Sequence, residues 1–525
     1  MDQKKELLWG VLAGFLSCLL WILSIPPFEF PEAAYIAFVP LLIWLRSQPS
    51  WRRSLGLAFA VGAIAWFVIL IWLRHVTWLG TLGLAAILGL FFLVWVAQAR
   101  WLLPRAASSN FFGRLLAWFA IAGTWVLLEW SREWIFYGFP WAPLALSQWE
   151  RPVVLQVSAW TGSLGVSFLL IFFNACVAHT LWMRATSNKG KFWSGWFSPD
   201  LYAGLLALLA CIVLFFKSLP APGSFDTLLR VGVVQPYILP ELKWEQGREA
   251  ENLALLERQT EFVGAMENDL ILWPESATPW PIKGNGVMQM RLEKFVQQLG
   301  RPILMGNLAY NSAENTWENG VFLVNPDSGL SSKYYIKRAL VPFGEYVPKP
   351  FDWFFKKFVP NMGAFLPGHI PELLPLKIKE RRYFCGPLVC YEDVFPTLAR
   401  ASVRAGAELL FVATNNAWYG EEGGASQHAA HSVLRAVENR RPVVRCGNGG
   451  WSGWIDAYGT VREVLRDDRG SIYFCGGGNF TIGQDRRWLR QKSFYTRNGD
   501  WFIGVCAGGV AICLLFAFRR QGLGD

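Results

Sequence analysis

The sequence predicts a multi-span α-helical membrane protein into which a large water-exposed α/β domain is inserted before the last span. Three observations predict it. Long uncharged apolar runs crowd residues 1–220, short β-branched runs alternate with helical patterns over 226–500, and one further apolar run closes the chain. Of the 525 residues only 17% are charged and 53% are hydrophobic, with 29 tryptophans. A soluble domain carries nearer ~25% charge, and the shortfall falls on the first 220 residues.

Crossing a bilayer takes ~20 apolar residues in a helix. The runs 7–28, 54–73, 75–99 and the core of 152–183 reach that length, 201–216 and 501–518 come close, and 33–45 and 115–128 are weaker. All eight together put both termini on one side. Lys4 and Lys5; Arg46, Arg52 and Arg53; Arg100, Arg105 and Arg114; Arg184, Lys189 and Lys191; and Arg519 and Arg520 fall at alternate ends of these runs. The other short loops hold only Arg74, Arg132 and Arg151. The positive-inside bias therefore predicts a multi-pass protein with cytoplasmic termini and an exported segment 218–500. Lys4–Lys5 ahead of an apolar run imitates a signal peptide, and FLSC at 15–18 a lipid-attachment site. The run continues past Cys18 to Ile25 without a small-residue boundary, which predicts an uncleaved first span. No span shows the intramembrane charge pairs of a transporter.

The expected domains are a membrane domain over 1–220 with seven spans, an exported domain over 226–485, and the final span 501–518. Nine cysteines and five histidines show no CxxC or Cys/His spacing suited to zinc, so neither metal nor cofactor is expected. The net charge of +10 is accounted for by the cytoplasmic loops and calls for no nucleic acid partner.

Within the exported part, LLRVGVVQP, DLILWPES, RPILMGN, GVFLVNP, YFCGPLVC, ELLFVATNN and RPVVRCGN read as strands, several apolar on both faces. Helical spacing covers 246–266, 287–299, 394–405 and 426–438. Doubly apolar strands with helices between them predict layered α/β packing. Three motifs sit where strands end. In LWPESATPW, Glu275 follows an apolar strand, where poor hydration is expected to raise a carboxyl toward general-base range. In YYIKRALVPFGEYVP, Lys337 and Glu345 flank a Pro-Phe-Gly turn, and in GPLVCYEDVF, Cys390 precedes Tyr391, Glu392 and Asp393. Alone, they read better as a turn glutamate, a solvated lysine and a small buried thiol. Cys385 lies five residues earlier on the same strand, and alternation aims it at the opposite face.

A glutamate, a lysine and a cysteine at successive strand ends resemble the carbon–nitrogen hydrolase (nitrilase) superfamily, whose members carry a Glu-Lys-Cys triad on an αββα sandwich. With seven spans before the domain and one after, the whole chain resembles the apolipoprotein N-acyltransferase family. FVPLL (38–42), GFPW (138–141), KW (243–244), WPE, LVPFGEYVP, CYED, NNAWYG (415–420), SQH (426–428) and YTRNGDW (495–501) carry the resemblance. It implies a multi-pass protein of the bacterial inner membrane and a periplasmic nitrilase-like domain with Glu275 as general base, Lys337 as electrostatic stabiliser and Cys390 as nucleophile. It also implies supporting acids at Glu345 and Glu392, and site aromatics at Trp244, Tyr391, Trp418 and Tyr419. Plain core packing is an equal reading of those aromatics. The implied reaction moves an acyl chain from a phospholipid, with phosphatidylethanolamine as donor, through a Cys390 thioester. The acceptor is the α-amino group of a diacylglyceryl-modified lipoprotein cysteine, in the last step of bacterial lipoprotein maturation.

The sequence departs from the family pattern in RPVVRCGNGGWSGWI (441–455), where Trp451 stands in place of a smaller aliphatic residue, which puts the pocket shape in question. The LPELKWE strip and the segment 348–360 read as lid or interfacial anchor, the latter setting Phe351, Trp353, Phe354, Phe355 and Phe358 among Lys349, Lys356 and Lys357. Two rival functions use the same residues differently. A membrane-tethered amidase would pass the acyl group to water, although seven spans exceed the needs of a tether. A non-catalytic lipid-binding scaffold would not need an intact triad.

Overall fold

The computed structural model describes residues 3–186, 198–243, 245–349, 365–378 and 380–519. Trp244, Lys189, Lys191, Arg520 and residues 350–360 of the expected lid therefore lie outside the described residues. The chain divides into two compact units, Met1–Leu219 with Asn498–Asp525, and Pro220–Arg497.

The first unit is helical. Among the described residues, seven helices are long and apolar enough to cross a membrane. They include α1 (Gln3–Ser24), α3 (Trp51–Ile69), α4 (Trp78–Ala107), α5 (Phe111–Ser131), α6 (Leu164–Thr186), α7 (Pro199–Ser218) and the C-terminal helix Trp501–Arg519, with the short α2 (Val39–Arg46) between α1 and α3. The weak candidate 115–128 is thus a full helix, and 152–183 begins as two short turns before α6.

The expected span at 33–45 is not one helix but a 3₁₀ turn, Pro31–Tyr35, followed by the eight-residue α2. Pro31 and Pro40 each sit in the first turn of a helical piece, where the missing N–H has no intrahelical bond to lose. The broken segment nevertheless returns along the whole of α1. Phe30 N–H donates to Leu23 O (3.2 Å), the Phe38 ring meets Trp21 (5.5 Å), Leu41 N–H donates to Ser17 Oγ (3.2 Å), and Trp44 Nε1 donates to Glu6 O (3.3 Å). Backbone groups freed by the break need internal partners where water is absent. Asn174 of α6 supplies two, accepting from Phe38 N–H (2.8 Å) and donating to Ala34 O (2.8 Å).

Apolar surface gives helices little reason to associate in lipid, so packing and polar contacts hold them together. Trp21, Phe38, Trp66, Phe92, Trp95 and Trp125 supply the packing as one cluster, with Trp21–Trp66 at 5.5 Å and Trp95–Trp125 at 5.1 Å. Polar contacts gather near the chain end of α1: Arg53 meets Glu6 (3.2 Å), Arg100 donates to Pro49 O (2.8 Å), Arg46 meets His179 (2.7 Å), and Arg114 pairs with Asp200 (2.9 Å). A second buried pair, Glu129–Arg132 at 3.7 Å, closes α5, with Leu144 N–H and Trp125 Nε1 donating to the carboxylate. The expectation of spans without charge pairs is therefore corrected. Arg114 and Arg132 read as loop charges because their acids lie 86 residues away in one case and in the last helical turn in the other.

The second unit is an αββα sandwich. Its strands are β1 (Phe225–Gln235), β2 (Leu270–Trp273), β3 (Ile303–Asn311), β4 (Thr316–Asn325), β5 (Gly329–Leu330), β6 (Tyr335–Ile336), β7 (Leu374–Ile378), β8 (Arg381–Val389), β9 (Leu409–Thr414), β10 (Val443–Gly447), β11 (Gly453–Ile455), β12 (Val461–Val464) and β13 (Gly476–Asp485). One sheet runs β13-β1-β2-β3-β4-β5 with β6 on β4, the other β12-β11-β10-β9-β8-β7. Each has a parallel core, β1-β2-β3 and β8-β9-β10, with antiparallel flanks. Val231, Leu272, Leu304, Val321, Val389, Phe411 and Val444 from both sheets share one buried core. Helices 249–264 and 286–299 cover the outer face of the first sheet, their Leu256 and Leu292 packing with Ile271 and Phe322. Helices Pro396–Ala405 and Gly424–Asn439 accompany the second sheet.

Cys385 corrects the alternation argument. It is fully buried in the inter-sheet core, and Cys390 packs against that same core, because the strand ends at Val389 and period-2 geometry stops there.

Asn174→Leu should strand Phe38 N–H and Ala34 C=O, at about 1–3 kcal/mol for each orphaned buried group. Thermal unfolding in detergent is expected to show a clear loss of stability, and an unchanged melting temperature would refute the bridging role.

Candidate active site

Three strand ends bring three side chains together. β2 stops at Trp273 because Pro274 has no N–H to continue the ladder. Glu275 follows, 7% exposed, with its N–H directed at Thr414 O (3.5 Å), where β9 ends. Gly306 on β3 allows this approach, since a Cβ there would lie 2.7 Å from Glu275 Cα. Lys337 comes directly after β6 and is 1% exposed. Cys390 follows β8 and opens a 3₁₀ turn, Cys390–Val394, at φ +54°, a left-handed conformation unusual for a residue with a Cβ.

Lys337 Nζ lies 2.9 Å from Glu345 and 3.7 Å from Glu275 Oε1. Asn319 on β4 bridges the two acids, its amide donating to Glu275 Oε1 (3.0 Å) and Glu345 Oε1 (2.9 Å). The Pro-Phe-Gly turn holds Glu345 in place through Val341 N–H to Oε2 (2.8 Å) and Phe343 N–H to Tyr346 O (2.7 Å). Burial alone would lower the Lys337 ammonium, but Glu345, Cys390 and Glu275 outweigh it and hold the pKa well above the ordinary value. The Cys390 thiol is raised well above its ordinary value by burial and by the Glu275 charge, with Lys337 opposing. The arrangement is thus a thiol near a carboxylate, beside a fixed cation. Such a site can transfer that proton during attack and then stabilise an oxyanion.

The supporting residues divide. Glu345 touches the lysine. Glu392 faces elsewhere: it accepts from Arg338 N–H (2.6 Å), Ala339 N–H (3.0 Å), Val389 N–H (2.8 Å) and Tyr335 Oη (2.7 Å). It ties the loop after Lys337 to the strand before Cys390. The Tyr391 ring lies 5.7 Å from Lys337 Nζ, and its hydroxyl donates to Leu340 O (2.8 Å). Tyr419 is buried near the triad, and burial with the charges of Cys390 and Glu275 raises its hydroxyl pKa well above the ordinary value. Trp418 is 44% exposed.

The departure at 441–455 is an ordered, buried turn. Gly449 (φ +83°) lies under the Tyr237 ring and Gly450 (φ +87°) against Asn416, while Trp451 is buried and would crowd a Cβ on Gly453. Asn448 reaches Ile238 O (2.7 Å) and Asn415 (3.0 Å). Sequence reasoning missed Asn319, and gave Lys243 no role beyond its motif. Lys243 is buried with Nζ 3.4 Å from Glu275 O, and burial lowers its pKa to about 8. Among the described residues no cluster of three or more His, Cys, Asp or Glu could hold a metal ion.

Family models match twice: the apolipoprotein N-acyltransferase N-terminal domain over residues 17–176, and carbon–nitrogen hydrolase over 230–482. An apolipoprotein N-acyltransferase of Geobacter metallireducens is 31% identical over 537 residues, covering 99% of this chain and 96% of that protein. The chain belongs to the apolipoprotein N-acyltransferase family. Another apolipoprotein N-acyltransferase, from Brucella melitensis, is 30% identical over 87% of both chains. Among solved structures, an amidase from Nesterenkonia sp. AN1 aligns with TM-score 0.38 and 18% identity over 54% of this chain and 99% of its own. In this chain an N-terminal region of apolar helices precedes the carbon–nitrogen hydrolase region.

Lys337→Met removes the cation that opposes burial and the two carboxylates, so the Cys390 thiol should rise further. A neighbouring opposite charge is worth ~1–3 pKa units. Alkylation of Cys390 by iodoacetamide should slow about tenfold or more at neutral pH, with its pH dependence displaced upward. Peptide mass spectrometry from pH 6 to 10 checks this, and an unmoved profile would show that the ammonium does not act on the thiol.

Proposed function

We propose that this protein moves one acyl chain from a phospholipid, through a thioester on Cys390, to the α-amino group of the S-diacylglyceryl cysteine at a lipoprotein N-terminus, the last step of bacterial lipoprotein maturation. The observation that carries this reading is the convergence of the Cys390 thiol, Glu275 and Lys337 at three strand ends, in a chain whose remaining part is a bundle of apolar helices. Phosphatidylethanolamine is the proposed donor.

In the first half-reaction the thiol attacks the ester carbonyl while Glu275 takes its proton, and Lys337 faces the developing oxyanion. The lysophospholipid alkoxide leaves with the proton from Glu275, and the acyl group stays on sulfur. In the second half-reaction the acceptor amine must attack as the free base. Its pKa near ~8 leaves it mostly protonated at pH 7. Glu275 takes the proton released when the amine attacks the thioester and returns it to the departing Cys390 sulfur. Carrying either lipid substrate out of the bilayer would cost ~0.8 kcal/mol per CH₂, so the site must work at the membrane surface.

The proposed setting is the inner membrane, with the catalytic unit in the periplasm and both termini in the cytoplasm. Its support is the gathering of Arg46, Arg53, Arg100 and Arg114 at the end of the bundle that holds Glu6. The broken segment 31–46 supplies the eighth crossing that this orientation needs.

Incubation with phosphatidylethanolamine should add one acyl mass to Cys390 alone. Cys385→Ala should keep the adduct and Cys390→Ala should lose it, while turnover surviving in Cys390→Ala would sink the thioester route. Glu275→Gln should slow both half-reactions by ~10²–10⁴-fold, the usual range for a general base. Alkaline pH should relieve the second half, because the acceptor amine then loses its proton unaided. Single-turnover measurements of each half-reaction from pH 6 to 9.5 check this.

Orientation is tested by reporters fused after Gly306 and after Arg184. The first should be active only outside and the second only inside, and the reverse pattern would overturn the proposed setting.

A further inference from the structure

Cys390 holds a strained conformation that needs holding in turn. A non-glycine residue at φ +54° is strained and persists only where its surroundings over-determine it. Glu392 fixes the residues on either side, accepting from Val389 N–H (2.8 Å) and, through its own carbonyl, from Phe395 N–H (3.1 Å). The remaining grip is on Cys390 itself. His428, on the helix Gly424–Asn439, places Nε2 3.1 Å from the Cys390 carbonyl oxygen.

The imidazole is oriented by its other contacts. Its Nδ1 faces the amide nitrogen of Asn416 (3.2 Å), which can only donate, so Nδ1 accepts and the proton lies on Nε2. Nε2–H is shared between Cys390 O and Asp393 Oδ1 (2.7 Å). Asp393 is held by the Ser432 hydroxyl and by the Arg445 guanidinium, and all four side chains are buried. Burial alone would raise the Asp393 carboxyl, but His428 and Arg445 keep it well below the usual carboxylate range. Burial lowers His428, which keeps the ring neutral despite the pull of Asp393.

We propose that His428 is a positioning residue for the reaction: its Nε2–H, aimed by Asn416 and Asp393, clamps the Cys390 carbonyl and holds the left-handed turn that presents the thiol to Glu275. It touches no reacting atom and acts through the nucleophile's backbone. The proposal rests on Cys390 being the nucleophile, but not on which acyl donor it uses.

The test compares His428→Gln with His428→Asn in the full-length protein in detergent, by iodoacetamide alkylation read residue by residue. The Gln amide can reach the place of Nε2 and still donate to the carbonyl; the Asn amide reaches only the place of Nδ1. His428→Asn is expected to slow Cys390 alkylation at least tenfold, and His428→Gln to recover most of that loss. Exposed Cys475 is the internal standard, and buried Cys385 and Cys446 report on the fold. Equal rates at Cys390 in both variants and the parent would overturn the proposal. So would equal losses in Gln and Asn, or a loss accompanied by labelling of Cys385 and Cys446, which signals a loosened sandwich. If His428→Asn cannot be recovered folded, His428→Gln decides alone: a rate within about threefold of the parent supports the clamp, and a larger loss overturns it. Alkylation needs no lipid, so failure of phospholipid to acylate the parent protein would strike the proposed function and leave this result standing.

Discussion

The Lys337 ammonium is buried, and a buried charge must be paired or it destabilises the fold by several kcal/mol. Its two carboxylates come from different places, Glu345 from a turn eight residues on and Glu275 from the end of β2. Asn319, a third of the way along β4, locks the acids to each other. Three stretches of chain thus converge around one cation, two of them supplying the charge that neutralises it. The same convergence leaves a carboxylate against a thiol. Stability and chemistry draw on one arrangement, so the triad is held by the requirement to satisfy its lysine.

The triad was legible because each member stands in a short motif at a strand end, and motifs are local. Asn319 was not. It lies inside TWENGVFLVN, an unremarkable strand, and its role depends on β4 pairing with β6, Gly320 opposite Ile336 and Val321 opposite Tyr335. That register is a long-range fact no window of sequence displays. Glu392 was legible as an acid near the site, but its work as a clasp on Val389, Arg338 and Ala339 was not. The strands β1–β3 and β8–β10 were legible from apolar runs. The flanking strands β11–β13 were not, since VREV is half charged and Gly476–Asp485 starts with three glycines. Edges need less burial and leave fainter patterns.

In the helical unit apolar length alone misread one segment. Arg46 and Arg53 lie at one level with Glu6 and Trp44, although the segment leading to them is too short for a regular helical span. Length failed there because the break is completed by a side chain elsewhere, and composition cannot register such a partner. The ion pairs Arg114–Asp200 and Glu129–Arg132 escaped for the same reason.

That completed break also sets an order of assembly. The Phe38 amide and the Ala34 carbonyl have their partner in Asn174, 136 and 140 residues further along the chain. As the chain is synthesised from its N-terminus, α1 and α3 can each satisfy their own backbones as they emerge, but the segment between them cannot. It must wait, hydrated or held by other means, until α6 has been made. The segment between α1 and α3 is thus among the last parts of the helical unit to be completed, and the unit closes around it late rather than growing helix by helix.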